Sequence, residues 1–197
     1  LVFQYEGSTQ TFEIASGSVS ISEGDLQFAS AKFGVSGNPG LVIDNGSLTA
    51  LNITISSNMN VMGMSLDISS MTFIYDAVAG QTYGNFEIGA GGNISLSSGS
   101  SSNPFSFSGL FGNTTNSTPG LVINNGILQS FYIGITSNIS AGGLTISTSD
   151  LTFTYQLASN TFEIPNGSIS VTATDFNFNG TFGSTLSNGT SVPGMVV

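Results

Sequence analysis

Cysteine, histidine, tryptophan and arginine are absent from the 197 residues, and Lys32 is the only basic side chain. Without His or Cys there is no His/Cys zinc site, no thiol nucleophile and no Ser-His-Asp triad. Without Arg there is no bidentate clamp for phosphate or carboxylate. One lysine cannot form the basic patch that nucleic acid or an anionic membrane surface requires. Eleven acids set the formal net charge at -10, yet only 6% of residues are charged, against about 25% in an ordinary soluble domain. Salt bridges therefore contribute almost nothing, and a trypsin-like protease has one place to cut. Stability has to come from backbone ladders and packing. Missing cysteine is silent about redox compartment, but the whole profile points to an extracellular or cell-surface protein. No apolar run approaches the roughly 18 residues of a membrane helix, so no membrane insertion is expected. No signal peptide is visible and Leu1 is not a start methionine. The expectation is a mature product or the ordered part of something longer.

What is present is Gly, Ser, Thr and Asn over an apolar minority. Hydrophobic residues make up 39% of the chain and fifteen are Phe, enough for a packed core and against disorder. Apolar and polar residues alternate. Leu151, Phe153 and Tyr155 flank Thr152 and Thr154, and Phe131, Ile133 and Ile135 flank Tyr132 and Gly134. A period of two marks half-buried strands, and no window carries a sustained helical period. Asn-Gly in "DNG" at Asp44, "NNG" at Asn124 and "PNG" at Pro165 reads as tight hairpin turns, with "AGG" at Ala141 and "LASN" at Leu157 as further turns.

The phrases repeat. "LVFQY" at Leu1 aligns with "MTFIY" at Met71 and "LTFTY" at Leu151. "PGLVIDNG" at Pro39 aligns with "PGLVINNG" at Pro119, and "PGMVV" at Pro193 begins the same phrase. The units run 1–70, 71–150 and 151–197, the third stopping partway, in one continuous β array. A fainter half-repeat within each unit suggests descent from two related hairpins. The fold expected is all-β: a tandem-repeat, elongated antiparallel sandwich or meander, with a β-solenoid as the alternative. A sheet of a dozen strands is expected to split into two layers. Phe12, Phe86 and Phe162, with Ile14, Ile88 and Ile164, are the expected core, and Glu13, Glu87 and Glu163 between them should point outward.

Chemistry has few footholds. "GAGGN" at Gly89 sits between strand signals and reads as a turn, not a phosphate cradle. Paired carboxylates are the remaining catalytic route, but Glu13, Glu87 and Glu163 recur in every unit as scaffold positions do, so no enzyme and no catalytic residue is expected. Calcium takes oxygen ligands, and Asp25, Asp150 and Asp175 are the repeated acids to inspect, although no D-x-D-x-D-G loop is present. No other cofactor is expected. Nine Asn-x-Ser/Thr triplets begin at Asn45, Asn52, Asn93, Asn113, Asn116, Asn138, Asn166, Asn179 and Asn188. They are candidate glycosylation sites, weighed against a composition rich in Asn, Ser and Thr. The Thr ranks are too irregular for an ice-binding array, and the many Phe favour a filled core over an open lipid trough.

"PGLVINNGILQS", "LTFTYQLASNTFEI" and "GSISVTATDFNFNGTFG" give the chain its style. In that style all 197 residues resemble the very long tandem-repeat surface proteins of environmental bacteria. The resemblance implies a secreted structural or adhesive role and supplies no site residues. The incomplete third unit and two uncapped ends lead to the expectation of a window on a longer array, or of a subunit joining copies of itself head to tail or laterally. The leading function is a structural repeat protein forming or extending an extracellular fibre, sheath or adhesin stalk. The alternative is a carbohydrate- or cell-surface-binding β module that uses Tyr5, Tyr75, Tyr83, Tyr132 and Tyr155 with Asn on one face.

Overall fold

The computed structural model describes residues 1–197 apart from 24–25, 35–36, 62–63 and 99–103, and gives the backbone alone at 21–23, 26–29 and 61. The chain runs as β1 (Val2–Glu6), β2 (Thr11–Glu23), β3 (Leu26–Phe33), β4 (Leu41–Asp44), β5 (Ser47–Val61) and β6 (Met64–Asp76). It continues as β7 (Asn85–Ile88), β8 (Gly92–Ser98), β9 (Phe105–Phe111), β10 (Leu121–Asn124), β11 (Ile127–Ala141) and β12 (Leu144–Gln156). It ends as β13 (Thr161–Ile164), β14 (Gly167–Ala173), β15 (Phe176–Phe182), β16 (Ser184–Thr185), β17 (Ser191–Val192) and β18 (Met195–Val196). The described residues contain no helix. All strands but β16 and β17, which pair with each other, belong to one 16-stranded antiparallel sheet. It is not closed into a barrel.

Several strands share a row of the sheet. β7 and β8 follow one another along β6, and β9 and β10 along β11. β4 and β3 lie along β5 in the same way, as do β13 and β14 along β12. Each row is bonded to the row before and the row after it. Pairings recur at a fixed offset: Leu51 faces Tyr75 and Phe131 faces Tyr155, and bulges fall at Ile55/Ser57 and Ile135/Ser137. The ring pairs Phe3–Phe12, Phe73–Phe86 and Phe153–Phe162 have centroids 6.1, 6.3 and 6.3 Å apart.

The alternation sorts side chains onto two faces. Leu51 and Ile53 lie across from Tyr75 and Phe73, which lie across from Phe86 and Ile88. Phe86 and Ile88 in turn face Ile123 and Leu121. This apolar face continues through Phe131, Tyr155 and Phe162. The opposite face is mixed: Asn52, Thr54, Glu87, Tyr132, Gly134 and Thr152 lie there with Ile74, Val122 and Leu110.

Burial is shallow. Only Ile14, Ala31, Met71 and Ile164 count as buried apolar residues among those described. The expected aromatic core is therefore displaced: Phe12, Phe86, Phe162 and Ile88 are half-buried, and of the predicted set only Ile14 and Ile164 are buried. The accessible surface is 11497 Å² for 20.2 kDa, whereas a compact chain of that mass exposes about 8,800 Å². Glu13, Glu87 and Glu163 do lie on the face away from the phenylalanines, but they are half-buried. Glu87 sits between Ile74 and Val122 of the flanking rows, and loss of hydration there, with Asp76 as a second and smaller cause, raises its pKa.

Two of the Asn-Gly turns form as expected. Asn45 and Gly46 have φ of 48° and 77°, and Asn125 and Gly126 have 48° and 78°, the two positive values of a type I′ hairpin. The third does not. At Pro165-Asn166-Gly167 the chain kinks and continues along the same row, because β13 and β14 both pair with β12. Gly167 has φ 135°, as does Gly17 at the matching place in "ASG". A side chain at Gly167 would overlap the Leu151 backbone, and one at Gly17 the Leu1 backbone.

Candidate functional site

On the mixed face, β8, β9, β11 and β12 bring a line of residues together. Asn93 faces Leu110, Leu110 faces Gly134, and Gly134 faces Thr152. The Thr152 N–H donates to the Asn166 carbonyl at 3.0 Å, extending the line into the next row. Tyr132 and Thr136 flank Gly134 along β11, and Ser108 and Asp150 complete the wall. Together they line a trough of about 400 Å³.

Hydrogen bonds fix its polar groups. Asn93 Nδ2 donates to Ser108 Oγ at 2.8 Å. The Asp150 N–H donates to Thr136 Oγ1 at 3.3 Å, and the Asp150 carbonyl accepts from Thr152 Oγ1 at 3.1 Å and Asn166 Nδ2 at 3.3 Å. These bonds hold Asp150 at φ 47°, a left-handed conformation that Asp tolerates better than most residues. Among the described residues its carboxylate accepts only a long 3.5 Å bond from Ser149 Oγ. The Tyr132 hydroxyl has no partner among the described residues.

The predicted residues scatter around this trough. Of the three aspartates, Asp25 lies outside the described residues. Asp150 stands in the trough. Asp175 is in the turn at the far end of β14, about 20 Å along that strand from Asp150, so the two are not brought together. Among the described residues no three His, Cys, Asp or Glu cluster as metal ligands.

Of the sequon residues, Asn45, Asn116, Asn138, Asn166, Asn179 and Asn188 are exposed, Asn93 and Asn113 are half-buried, and Asn52 is buried. Asn52 Oδ1 has no partner. Asn113, Asn116 and Asn188 accept the N–H of the residue two ahead, at 2.9, 3.3 and 3.0 Å. Thr118 Oγ1 also donates to Asn116 Oδ1 at 2.7 Å.

The five tyrosines do not share a face. Tyr75 and Tyr155 belong to the apolar one, where Tyr155 stacks on Phe131 at 6.0 Å. Tyr5 is on the outer strand β1, and Tyr83 leans on the turn at Gly126. Tyr132 alone stands in the trough.

A second trough, of about 820 Å³, lies beside β2 and β3 and holds Glu13 and the exposed Lys32. Lys32 forms no ion pair among the described residues.

The sequence reading overlooked Ser108, Thr136, Thr152 and above all Gly134. The signal was available: set against "LNITISS" at Leu51, "FYIGITS" at Phe131 replaces Asn52 by Tyr132 and Thr54 by Gly134.

No family model, curated protein or solved structure matches the chain.

Proposed function

We propose that the chain is a secreted, extracellular structural protein, a tandem-repeat β array that forms or extends a fibre, sheath or adhesin stalk. Its partners are copies of itself, and it catalyses nothing. The observation that carries this reading is a pair of strands, β1 and β15, that each pair on one side only among the described residues. At one, Phe3 and Tyr5 of β1 are 58% and 69% exposed; at the other, Phe176 and Phe178 of β15 are 58% and 50% exposed. An unpaired edge with apolar side chains is a template for another chain. The large accessible surface points the same way. Uniformly antiparallel rows favour the meander over a solenoid of stacked coils. The repeat units 1–70, 71–150 and 151–197 rest on the sequence phrases and on pairings that recur in register. The proposal is also in keeping with the resemblance to tandem-repeat surface proteins of environmental bacteria.

Electron microscopy and sedimentation of the intact protein test this. Wild type is expected to form filaments, and Phe176→Lys/Phe178→Lys is expected to stay dispersed with an unchanged β-sheet circular dichroism spectrum. Filaments of undiminished length from that variant would rule out pairing through β15.

A further inference from the structure

We propose that the trough around Gly134 binds a sugar ring of a neutral oligosaccharide. The same position occurs earlier in the sheet, built from other residues: Lys32 faces Thr54 and Thr54 faces Thr72, as Leu110 faces Gly134 and Gly134 faces Thr152. The framework is the same there. The Ser70 N–H donates to Ser56 Oγ at 3.2 Å, as the Asp150 N–H does to Thr136 Oγ1 at 3.3 Å, and Ser70 has φ 51° against 47° at Asp150. In the earlier copy the Thr54 side chain fills the centre of the row, its hydroxyl 2.9 Å from that of Thr72.

Leu110 stands for Lys32 and Thr136 for Ser56. The trough of about 820 Å³ beside the earlier row is lined from β2 and β3 and not by Thr54. Three further changes open the centre of the row. Gly134 removes the filling side chain: a Cβ placed there would meet only Leu110 Cβ, at 4.0 Å. Tyr132 replaces Asn52 and puts an aromatic ring beside the opening. Asp150 replaces Ser70 and adds a carboxylate. Together they empty a space, line it with a ring and supply a hydrogen-bond acceptor at its rim.

The chemistry of the lining selects the ligand class. The C–H face of a pyranose is apolar and lies flat on an aromatic ring. Its hydroxyls donate to the Asp150 carboxylate and to amide oxygens, while the Tyr132 hydroxyl has both a proton and lone pairs to offer. The acid in the site and the net charge of -10 repel anionic sugars, phosphates and nucleotides. A lone carboxylate does not assemble a cation site. At about 400 Å³ the trough lies near the small end of ligand sites, about 300–1,000 Å³. It does not require filament formation, since all its walls come from one chain.

The test is saturation-transfer-difference and chemical-shift NMR on the intact protein. The probes are cellotetraose, chitotetraose, mannotetraose and a β-linked galactotetraose. At least one is expected to bind saturably, with a Kd of about 0.1–1 mM and with perturbed Tyr132 ring protons. Gly134→Thr, which rebuilds the closed row, should weaken that binding at least about tenfold, and Tyr132→Ala should do the same without touching the row's centre. Absence of saturable binding by all four probes overturns the proposal. So does binding that survives both variants unchanged, because it would lie elsewhere on the sheet.

Discussion

The hydroxyl oxygens of Thr54 and Thr72 meet at 2.9 Å across two neighbouring rows, while at the matching place Thr152 faces the bare backbone of Gly134. A glycine inside a strand gives up packing and chain stiffness, and a cross-strand Thr pair contributes about 0.2–1 kcal/mol. Gly134→Thr is therefore expected to stabilise the fold by about 1 kcal/mol, raising Tm by about 2–4 °C. Calorimetric unfolding measures this. A gain in stability together with a loss of sugar binding would show that Gly134 serves the trough at the fold's expense.

Gly167 and Gly46 differ in what surrounds them. A Cβ at Gly167 overlaps the Leu151 backbone, whereas one at Gly46 meets nothing within 4 Å. Gly167→Ala should cost about 2–4 kcal/mol, because it adds a clash to an unfavourable φ. Gly46→Ala, strained only by its φ, should cost about 1 kcal/mol. Urea unfolding of both variants gives the ratio; equal costs would contradict the close packing of β14 against β12.

Glu87 makes stability depend on pH in a stated direction. Its folded pKa is raised by loss of hydration and by Asp76, so in the window between its ordinary and its raised pKa the folded state holds more protons than the unfolded state. Stability attributable to Glu87 therefore falls as pH rises through that window. Glu87→Gln should be slightly more stable than wild type at pH 7, by well under about 1 kcal/mol given solvent screening. The advantage should vanish below the ordinary carboxylate pKa. Melting curves at pH 3.5 and pH 7 check this, and an advantage that persists at the lower pH would refute it.

Self-association should respond to salt. Each copy carries a net charge of -10, so copies repel one another at low ionic strength, and the Debye length shrinks from about 30 Å at 0.01 M to about 8 Å at 0.15 M salt. The association rate followed by light scattering is expected to rise across that range. Slower association in higher salt would mean that opposite charges, not apolar edges, join the copies.

Much of this fold was legible from alternation and turn chemistry. Leu151, Phe153 and Tyr155 mark a strand because their period is two, and Asn45-Gly46 marks a hairpin because both residues tolerate positive φ. The Pro165-Asn166-Gly167 turn misled because local sequence does not say whether a kinked chain reverses or continues; pairing of both flanking strands with β12 decided that. Depth of burial was likewise not local. Phe12, Phe86 and Phe162 have the pattern of core residues, but burial depends on what covers their face. The trough was half-legible: Tyr132 and Asp150 stood out singly, while Gly134 became informative only beside Thr54, its counterpart in the closed row.

Cryo-electron microscopy of the intact protein at rising concentration tests the central claim most directly. A β array that lengthens by pairing β1 and β15 edges between copies predicts filaments whose layer lines include the row spacing of about 4.8 Å along the axis. Dispersed 20.2-kDa particles at every concentration would contradict it.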